Sequence, residues 1–303
     1  MTTAPDRRIE AYHALQRQCR EAVHHGRLQR AGVLARRALL VAKGSGSSSL
    51  IHQATTNHSM VLLELGAVAA AEKGLREVVL ASTDDETICR AAFYLASSLR
   101  RQKRLGRAHF FASSAAAKAN GLGDAVWRAR CHNLLGNIEL NRSGLEAALD
   151  EYRRALALWE SLPGDHRFAL AIVLDNLGYC LTLQKRIREG LPYLARALAY
   201  ARQINDPRTE AECRQDLAHA LLGLGHAAPS RQNALAALAL AEKLGFRDIL
   251  QNCLYILGEV AVQEGHDEER DRWFSRLQTL FPDVPHLREF LGLFDVSDLL
   301  TFH

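Results

Sequence analysis

The 303-residue sequence predicts an all-α protein, a solenoid of stacked helical hairpins. Three observations support this: a helix-forming composition, the absence of strand patterns, and a repeat of about 40 residues. Ala, Leu, Arg and Glu dominate, and their side chains lose little conformational entropy in a helix. Val, Ile and Thr do not gather into alternating runs bounded by turn residues, so no strand is predicted.

The repeat is clearest in the second half of the chain. The small residues that open its four units are Gly136, Gly178, Ala218 and Gly258, at steps of 42, 40 and 40 residues. A small, a large and a small residue follow at fixed offsets, as in Gly190, Leu194 and Ala197. Residues three, four and seven apart share a helix face, so a small residue in the first helix (helix A) lets the second (helix B) pack closely. The spacing extends back through Ala96, Ser59 and Cys19, which predicts seven units.

Four glycines are predicted in the turn before helix B of the first four units, where a left-handed residue or a sharp stop suits the chain. They are Gly26, Gly66, Gly106 and Gly144.

These residues resemble the tetratricopeptide-repeat (TPR) family. The Leu–Gly pairs, the run of Ala148, Tyr152 and Ala155, and the late Pro282 match its pattern. The units exceed the usual length of about 34 residues, as in the long-repeat type of the family. The early tryptophan of the family pattern is replaced by His132, Leu174, Arg214 and Leu254. The resemblance implies a right-handed α-solenoid of about seven hairpins over residues 1–282, with the A helices lining its concave face.

An apolar segment follows Pro282, and we predict that residues 283–303 form a capping helix over the last repeat. Its large apolar residues exceed one amphipathic stripe: Phe290, Leu291, Leu293, Phe294, Val296, Leu299, Leu300 and Phe302. The alternative is that this helix contacts a partner, or a second copy of the chain in a homodimer.

The sequence predicts a cytoplasmic protein without membrane spans. No apolar run approaches the roughly 20 residues of a membrane helix, and no secretory signal is evident at the N-terminus. The six cysteines form no Cys-x-x-Cys pair and lie within helical patterns, which predicts reduced, buried thiols. The excess of Arg over Lys and the abundant Ala are typical of a high-GC bacterial genome.

Charge is uneven along the chain. Residues 1–131 carry 20 Lys and Arg against 10 Asp and Glu, and the remainder 18 against 24. This asymmetry either orients an acidic partner towards the first half or reflects two solvated faces. No aromatic residues interleave with the basic cluster Arg100, Arg101, Lys103, Arg104 and Arg107, so we predict no nucleic-acid binding.

No motif of an enzyme or a metal site is present. The sequence lacks HExxH, GxSxG, GxGxxG and cysteine-protease signatures. The acidic residues from Asp267 to Asp271 suit a helix N-terminus electrostatically. We therefore predict no catalytic residue, no metal and no cofactor.

The A helices carry the candidate partner-binding residues, which are Arg90, Phe93, Arg130, Asn133, Asn137, Asn141, Asp175 and Tyr179. The three asparagines recur at i, i+4 and i+8 on one face, and an amide can both donate to and accept from a peptide backbone. Arginine binds a carboxylate through two hydrogen bonds. The resemblance implies an extended peptide in the groove, with an acidic or C-terminal carboxylate near the two arginines. The alternative is that the amides bond each other, water or the next helix.

The leading hypothesis is a non-catalytic scaffold for a protein or peptide partner. A peptide-sensing regulatory receptor of the TPR type is the alternative, and an enzyme with an unrecognised site is a third class. A receptor needs an output through a second partner or domain, whereas an enzyme needs titratable groups in a compact pocket.

Overall fold

The computed structural model describes residues 4–284 and Leu287, with side chains from Arg8 onward. Fourteen α-helices, and no strands, lie within this part of the chain. They follow the predicted alternation of A helices (odd-numbered) and B helices (even-numbered), so the predicted all-α class is confirmed. The predicted capping helix, apart from Asp283, Val284 and Leu287, lies outside the described residues.

The chain divides into two compact units, each described here by itself. Unit one comprises residues 1–142 and unit two residues 143–303. The helices of unit one are α1 Ala4–His24, α2 Leu28–Ser45, α3 Ser48–Glu64, α4 Val68–Ala81, α5 Asp85–Arg101, α6 Leu105–Gly121 and α7 Ala125–Asn141. The helices of unit two are α8 Leu145–Ser161, α9 Arg167–Leu183, α10 Ile187–Ile204, α11 Pro207–Gly223, α12 Ala227–Leu244, α13 Arg247–Glu264 and α14 Asp267–Gln278.

Within each unit, every helix contacts the next, and neighbouring A helices also contact one another. In unit one, α5 contacts both α3 and α7; in unit two, α11 contacts both α9 and α13. A hairpin cannot bury its own apolar face, so each one packs on its neighbours. The A helices thereby bring polar side chains from successive repeats side by side.

The predicted close packing of helices A and B is seen at Gly178 and Gly190. A Cβ atom on Gly190 would lie 2.6 Å from the carbonyl oxygen of Gly178, and one on Gly178 would lie 2.6 Å from Leu194. Only glycine therefore fits at this crossing of α9 and α10. In the last hairpin, Gly258 lies against the ring of Phe274, 2.7 Å from where its Cβ would be.

The turn before helix B has one backbone geometry throughout. A left-handed residue stands two positions before the first residue of helix B: Gly26, Gly66, Lys103, Ser143, Lys185, Gly225 and Gly265. The prediction for Gly26 and Gly66 is confirmed, and Gly144 also lies in its predicted turn, directly before α8, whereas the prediction for Gly106 is wrong. Gly106 lies inside α6 and Gly144 has a φ of −86°. The left-handed residues in those turns are Lys103 and Ser143. The left-handed conformation occurs two positions before helix B, whether or not the residue there is glycine.

Several A helices begin at an aspartate. The side chains of Asp84, Asp124 and Asp206 accept hydrogen bonds from backbone N–H groups of their helices, at 3.2, 3.0 and 2.9 Å. Such caps satisfy donors that have no partner within the helix. They define where α5, α7 and α11 begin.

The core is rich in alanine and cysteine. All six cysteines are buried and free, as predicted. The small side chains at the interfaces allow helices to approach closely, and larger residues such as Leu95, Tyr152 and Leu194 fill the remaining space. Among the described residues, no helix is long and apolar enough to cross a membrane.

Candidate functional site

Six of the eight candidate residues lie in unit one, on two neighbouring A helices. Arg90 and Phe93 are on α5, and Arg130, Asn133, Asn137 and Asn141 are on α7. Arg130 is exposed and the other five are half-buried. We call this region the α5–α7 surface.

Polar side chains bond from one A helix to the next at the edge of this surface. Asn57 on α3 donates to Gln16 on α1 at 3.0 Å and accepts from Arg90 on α5 at 2.6 Å. The buried Tyr12 hydroxyl lies against the same group, and burial raises its pKa while Arg90 opposes the rise. The guanidinium of Arg90 is therefore held in place by an amide of the preceding repeat.

Aromatic rings form the second part of the α5–α7 surface. Phe93 packs edge-on against Tyr94 and Trp127, with ring centroids 5.5 and 5.3 Å apart. The guanidinium carbon of Arg130 lies over the Trp127 ring, 4.9 Å from its centroid. Stacking on an indole orients the guanidinium and leaves its N–H edges available for hydrogen bonds.

The three asparagines differ in their surroundings. Asn141 accepts a hydrogen bond from Arg100 on α5 at 3.2 Å, which is the alternative that the sequence left open for these amides. Asn133 and Asn137 are half-buried, and each makes a contact within the protein. The predicted row of amides therefore exists, with its last member bonded to the neighbouring repeat.

Part of the basic cluster, which runs from the end of α5 into α6, supports the fold. Arg100 is buried and donates to Asn141. Arg104 lies 3.6 Å from the buried carboxylate of Glu72, which also accepts from Ser98 at 2.9 Å. These interactions explain two arginines of the cluster without any external ligand.

The remaining candidates, Asp175 and Tyr179, lie on α9 in unit two. Both are buried, with 4% and 3% of their surface exposed. Asp175 lies against Asp216 and Cys213 of α11, and burial raises its pKa well above the usual range, with the negative charges of Asp216 and Glu212 adding to the rise. That these two residues contact a partner stays a prediction.

A network of buried amides continues from this carboxyl pair. Gln215 donates to Asp216 at 2.9 Å, and Asn252 on α13 donates to Gln215 at 3.1 Å. Unit two thus repeats the arrangement of unit one, since polar side chains of successive A helices bond one another. The network lies largely below the surface.

One group in the described part of the chain has the atom types of a metal site. Ligand atoms of Glu264, His266 and Glu269 lie within 4.8 Å of one another. Arg231 forms ion pairs with both glutamates, with 2.5 Å to Glu269. An internal cation therefore already balances this acidic group, and nothing in its geometry requires a metal.

Two residues that orient the arginines of the α5–α7 surface escaped the sequence prediction. Trp127 precedes Arg130 by three positions, a spacing that places both on one helix face and could have revealed the stack. Asn57 on α3 was missed because its hydrogen bonds join it to Gln16 and Arg90, which are 41 and 33 positions away in the chain. No local signal indicates these bonds.

No protein-family model and no curated protein sequence matches the chain. Solved structures of similar fold exist. The chain is similar to a Rap protein in complex with competence and sporulation factor, with a TM-score of 0.70, 14% identity, and coverage of 89% of this chain and 76% of that one. It is similar to the Rap conjugation gene regulator of plasmid pLS20 in complex with the Phr* peptide, with a TM-score of 0.63, 14% identity and coverage of 86% and 73%.

A third similar structure is aspartyl phosphate phosphatase F from Bacillus subtilis, with a TM-score of 0.62, 16% identity and coverage of 93% and 77%. The fold is of the tetratricopeptide type. Similarities at identities this low show the fold alone, so the function of this chain has to be inferred from its own residues.

Proposed function

We propose that the chain is a non-catalytic scaffold that binds an extended peptide or protein segment on the α5–α7 surface. The observation that carries the proposal is the exposed guanidinium of Arg130, fixed on Trp127 beside the half-buried amides of Asn133 and Asn137. An ordered cation next to amides fits a ligand with a carboxylate and a peptide backbone.

The two arginines are suited to bind because neighbours already orient them. Arg90 donates to Asn57, and Arg130 stacks on Trp127. Binding then freezes fewer rotamers, which reduces the entropic cost of immobilising each long side chain. A peptide with an acidic residue or a free C-terminus at this point is the partner class that this arrangement favours.

Two further observations support a peptide ligand. The half-buried rings of Phe93 and Tyr94 provide apolar surface beside the charged groups, and such surface suits the side chains that flank an anchor residue. The similar Rap structures contain a bound factor or peptide. We place the chain in the cytoplasm, because free buried thiols are usual in a reducing compartment, and we assign it no cofactor.

The test is a pull-down from an extract of the source cells, with the intact chain and the Arg130→Ala/Asn137→Ala variant as baits and mass spectrometry as readout. A matched control is Arg107→Ala, which removes an exposed arginine from helix B of the same unit. Partners held by the intact chain and the control, and lost by the double variant, support the proposal. Partners retained equally by all three baits contradict it.

A peptide-sensing regulator is the second candidate, because one similar structure is that of a gene regulator with a peptide bound. In this case peptide binding would change a second interaction of the chain. The distinguishing measurement is the affinity of a captured partner protein with and without the captured peptide. A change in affinity of tenfold or more, which is a coupling free energy of about 1.4 kcal/mol, identifies a regulator. An unchanged affinity supports the scaffold instead.

A further inference from the structure

An apolar groove runs between α1 and α2 on the first hairpin. Its volume is about 440 Å³, and it is lined by Ala11, Ala14, Leu15, Gln18, Arg37, Leu40 and Val41. We call this region the α1–α2 groove. Val33 and Leu40 lie on one face of α2, and each has 61% of its surface exposed. A groove continuous with exposed apolar side chains is typical of a surface that another element covers.

Later hairpins bury the same face of their A helices. In the register of the repeat, Ala14 on α1 corresponds to Ala54 on α3 and Ala91 on α5. Both of these later alanines are fully buried, in clusters that include residues of the preceding helices α2 and α4. In the described part of the chain, by contrast, Ala11 and Gln18 of α1 are exposed. The α1–α2 groove therefore has the shape that accepts a helix in the repeats that follow it.

The hairpin that forms the groove is strongly basic. Residues 1–45 carry nine Lys and Arg against three Asp and Glu. Arg37 lines the groove itself, and Arg8, one turn before Ala11, donates to the carbonyl oxygen of Gly44 near the end of α2. Guanidinium groups thus flank the apolar residues. An acidic helix would be attracted to this groove, whereas the same hairpin of a second copy would be repelled.

The segment that follows Leu287 has the composition that the groove favours. Residues 288–303 contain the eight large apolar residues already named, and three acidic residues against one basic residue: Glu289, Asp295 and Asp298, and Arg288. As a helix, these sixteen residues would be about 24 Å long, which is comparable to the fourteen residues of α4. We call residues 288–303 the C-terminal tail.

We propose that the C-terminal tail of one copy docks as a helix in the α1–α2 groove of a second copy. The tail follows the last described helix, because the backbone N–H of the buried Leu287 donates to the side chain of Gln278, at the end of α14, at 3.1 Å. The groove belongs to the first helices of the chain. The contact is therefore head-to-tail, and it repeats from copy to copy into rings or filaments.

The first test is an isotope-mixing crosslink on the purified full-length protein. The photoreactive analogue p-benzoylphenylalanine replaces Leu40, and this chain is mixed with an equal amount of ¹⁵N-labelled native chain. After irradiation and trypsin digestion, mass spectrometry should find the groove linked to ¹⁵N-labelled residues 289–303, which belong to a second copy. The control places the analogue at Leu80, which is 86% exposed on α4 outside the groove, and it should give no link to the tail.

Sedimentation velocity measures the association itself. The average mass of the native chain and of Leu80→Glu should rise with concentration. Leu40→Glu places a carboxylate where an apolar and acidic tail would dock, and it should raise the concentration needed for association by about tenfold or more. Circular dichroism checks that both variants fold. Because both leucines are exposed, neither substitution removes a core residue.

A charge exchange tests whether the tail and Arg37 contact each other. Arg37→Glu should weaken association, and adding Asp295→Lys and Asp298→Lys to the same chain should restore it, since the pair of opposite charges is then reversed. Association that stays weak in the combined variant would contradict the proposed contact.

Other results would also overturn the inference. A native chain that stays a single copy at every concentration excludes the assembly. A tail linked to Leu40 only in its unlabelled form shows that each chain covers its own groove. These measurements use the purified chain and leave the α5–α7 surface unchanged, so their failure is distinct from failure of the proposed function.

Discussion

Arg130 lies over the ring of Trp127, with its guanidinium carbon 4.9 Å from the ring centroid, one turn away on the same helix. The side chain is exposed, so its stacking does little for the core and much for its own orientation. The same indole packs against Phe93 and against the cluster that contains Cys89 and Cys131. The outer surface and this buried cluster of unit one are thereby connected through a single ring.

Removing the Arg130 side chain should affect binding far more than stability. An exposed cation–π contact contributes about 0.5–1 kcal/mol, so Arg130→Ala should lower the free energy of unfolding by no more than about 1 kcal/mol. Urea denaturation measures this. A much larger loss would show that Arg130 is a structural residue, and the Arg107→Ala control should change stability still less.

Substitution of two helical glycines by alanine should change the stability of the protein in opposite directions. Gly190 lies at the crossing of α9 and α10, and Gly106 lies on α6. Gly190→Ala places a methyl group 2.6 Å from the backbone oxygen of Gly178, and such overpacking costs about 1–3 kcal/mol. Gly106→Ala adds a methyl with no neighbour within 4 Å on a helix, and should stabilise by about 0.5–1 kcal/mol. Thermal unfolding followed by circular dichroism compares the two, and equal effects would contradict this packing.

The repeat could be predicted from the sequence because it follows from packing at single residues. Gly178 and Gly190 must be small because α9 and α10 cross there, and the large Leu194 packs against Gly178. The spacing of these small and large residues is therefore visible in the sequence. The turn geometry was less accessible. Lys103 and Ser143 adopt left-handed φ values of 58° and 60° with no local signal, since the fixed geometry of the hairpin overrides their own preference.

Those strained turn residues lead to a stability prediction. A left-handed conformation costs a residue with a Cβ about 1–2 kcal/mol, and Lys185 has a φ of 62° at an exposed turn. Lys185→Gly should therefore raise the free energy of unfolding by roughly 1 kcal/mol after the entropic cost of glycine. Gly225→Ala, at the matching position of the next hairpin with a φ of 74°, should lower it by a similar amount. Chemical denaturation of both variants tests the pair.

The buried carboxyl of Asp175 predicts a dependence of stability on pH. Burial beside Asp216 and Glu212 raises its pKa in the folded protein above the unfolded value of about 3.9. The stability that the protonated Asp175 carboxyl contributes is therefore fully present below pH of about 4, and it is lost as the pH rises through the folded pKa. Asp175→Asn keeps the shape without the charge, so its stability advantage over the native chain should grow from pH 4 to pH 8.

A surface aspartate gives the opposite sign as a control. Arg167 lowers the pKa of the exposed Asp165 to about 2, so the stability it contributes is present above pH of about 4 and lost as the pH falls towards 2. Asp165→Asn should consequently be less stable than the native chain at neutral pH, and this difference in the free energy of unfolding should shrink as the pH falls towards 2. Urea unfolding of both variants and the native chain over a series of pH values tests the two predictions. The same pH trend for both variants would contradict one of them.

The candidate site was predictable only where its residues share one helix. Asn133, Asn137 and Asn141 were found because i, i+4 spacing places them on one face. The hydrogen bonds from Arg90 to Asn57 and from Arg100 to Asn141 join residues 33 and 41 positions apart, and such pairs depend on how the repeats pack. The burial of Asp175 and Tyr179 depends on the same packing between α9 and α11, which helix periodicity alone does not describe.

Photo-crosslinking tests the central claim most directly. The photoreactive analogue p-benzoylphenylalanine replaces either Phe93, on the α5–α7 surface, or Phe110, which is 67% exposed on helix B of the same unit. Circular dichroism and thermal unfolding establish that both variants fold. On irradiation in extract from the source cells, we predict that the analogue at position 93 captures a peptide or protein segment and that the analogue at position 110 does not. Capture at position 110 alone, or equally at both positions, would contradict binding on the α5–α7 surface.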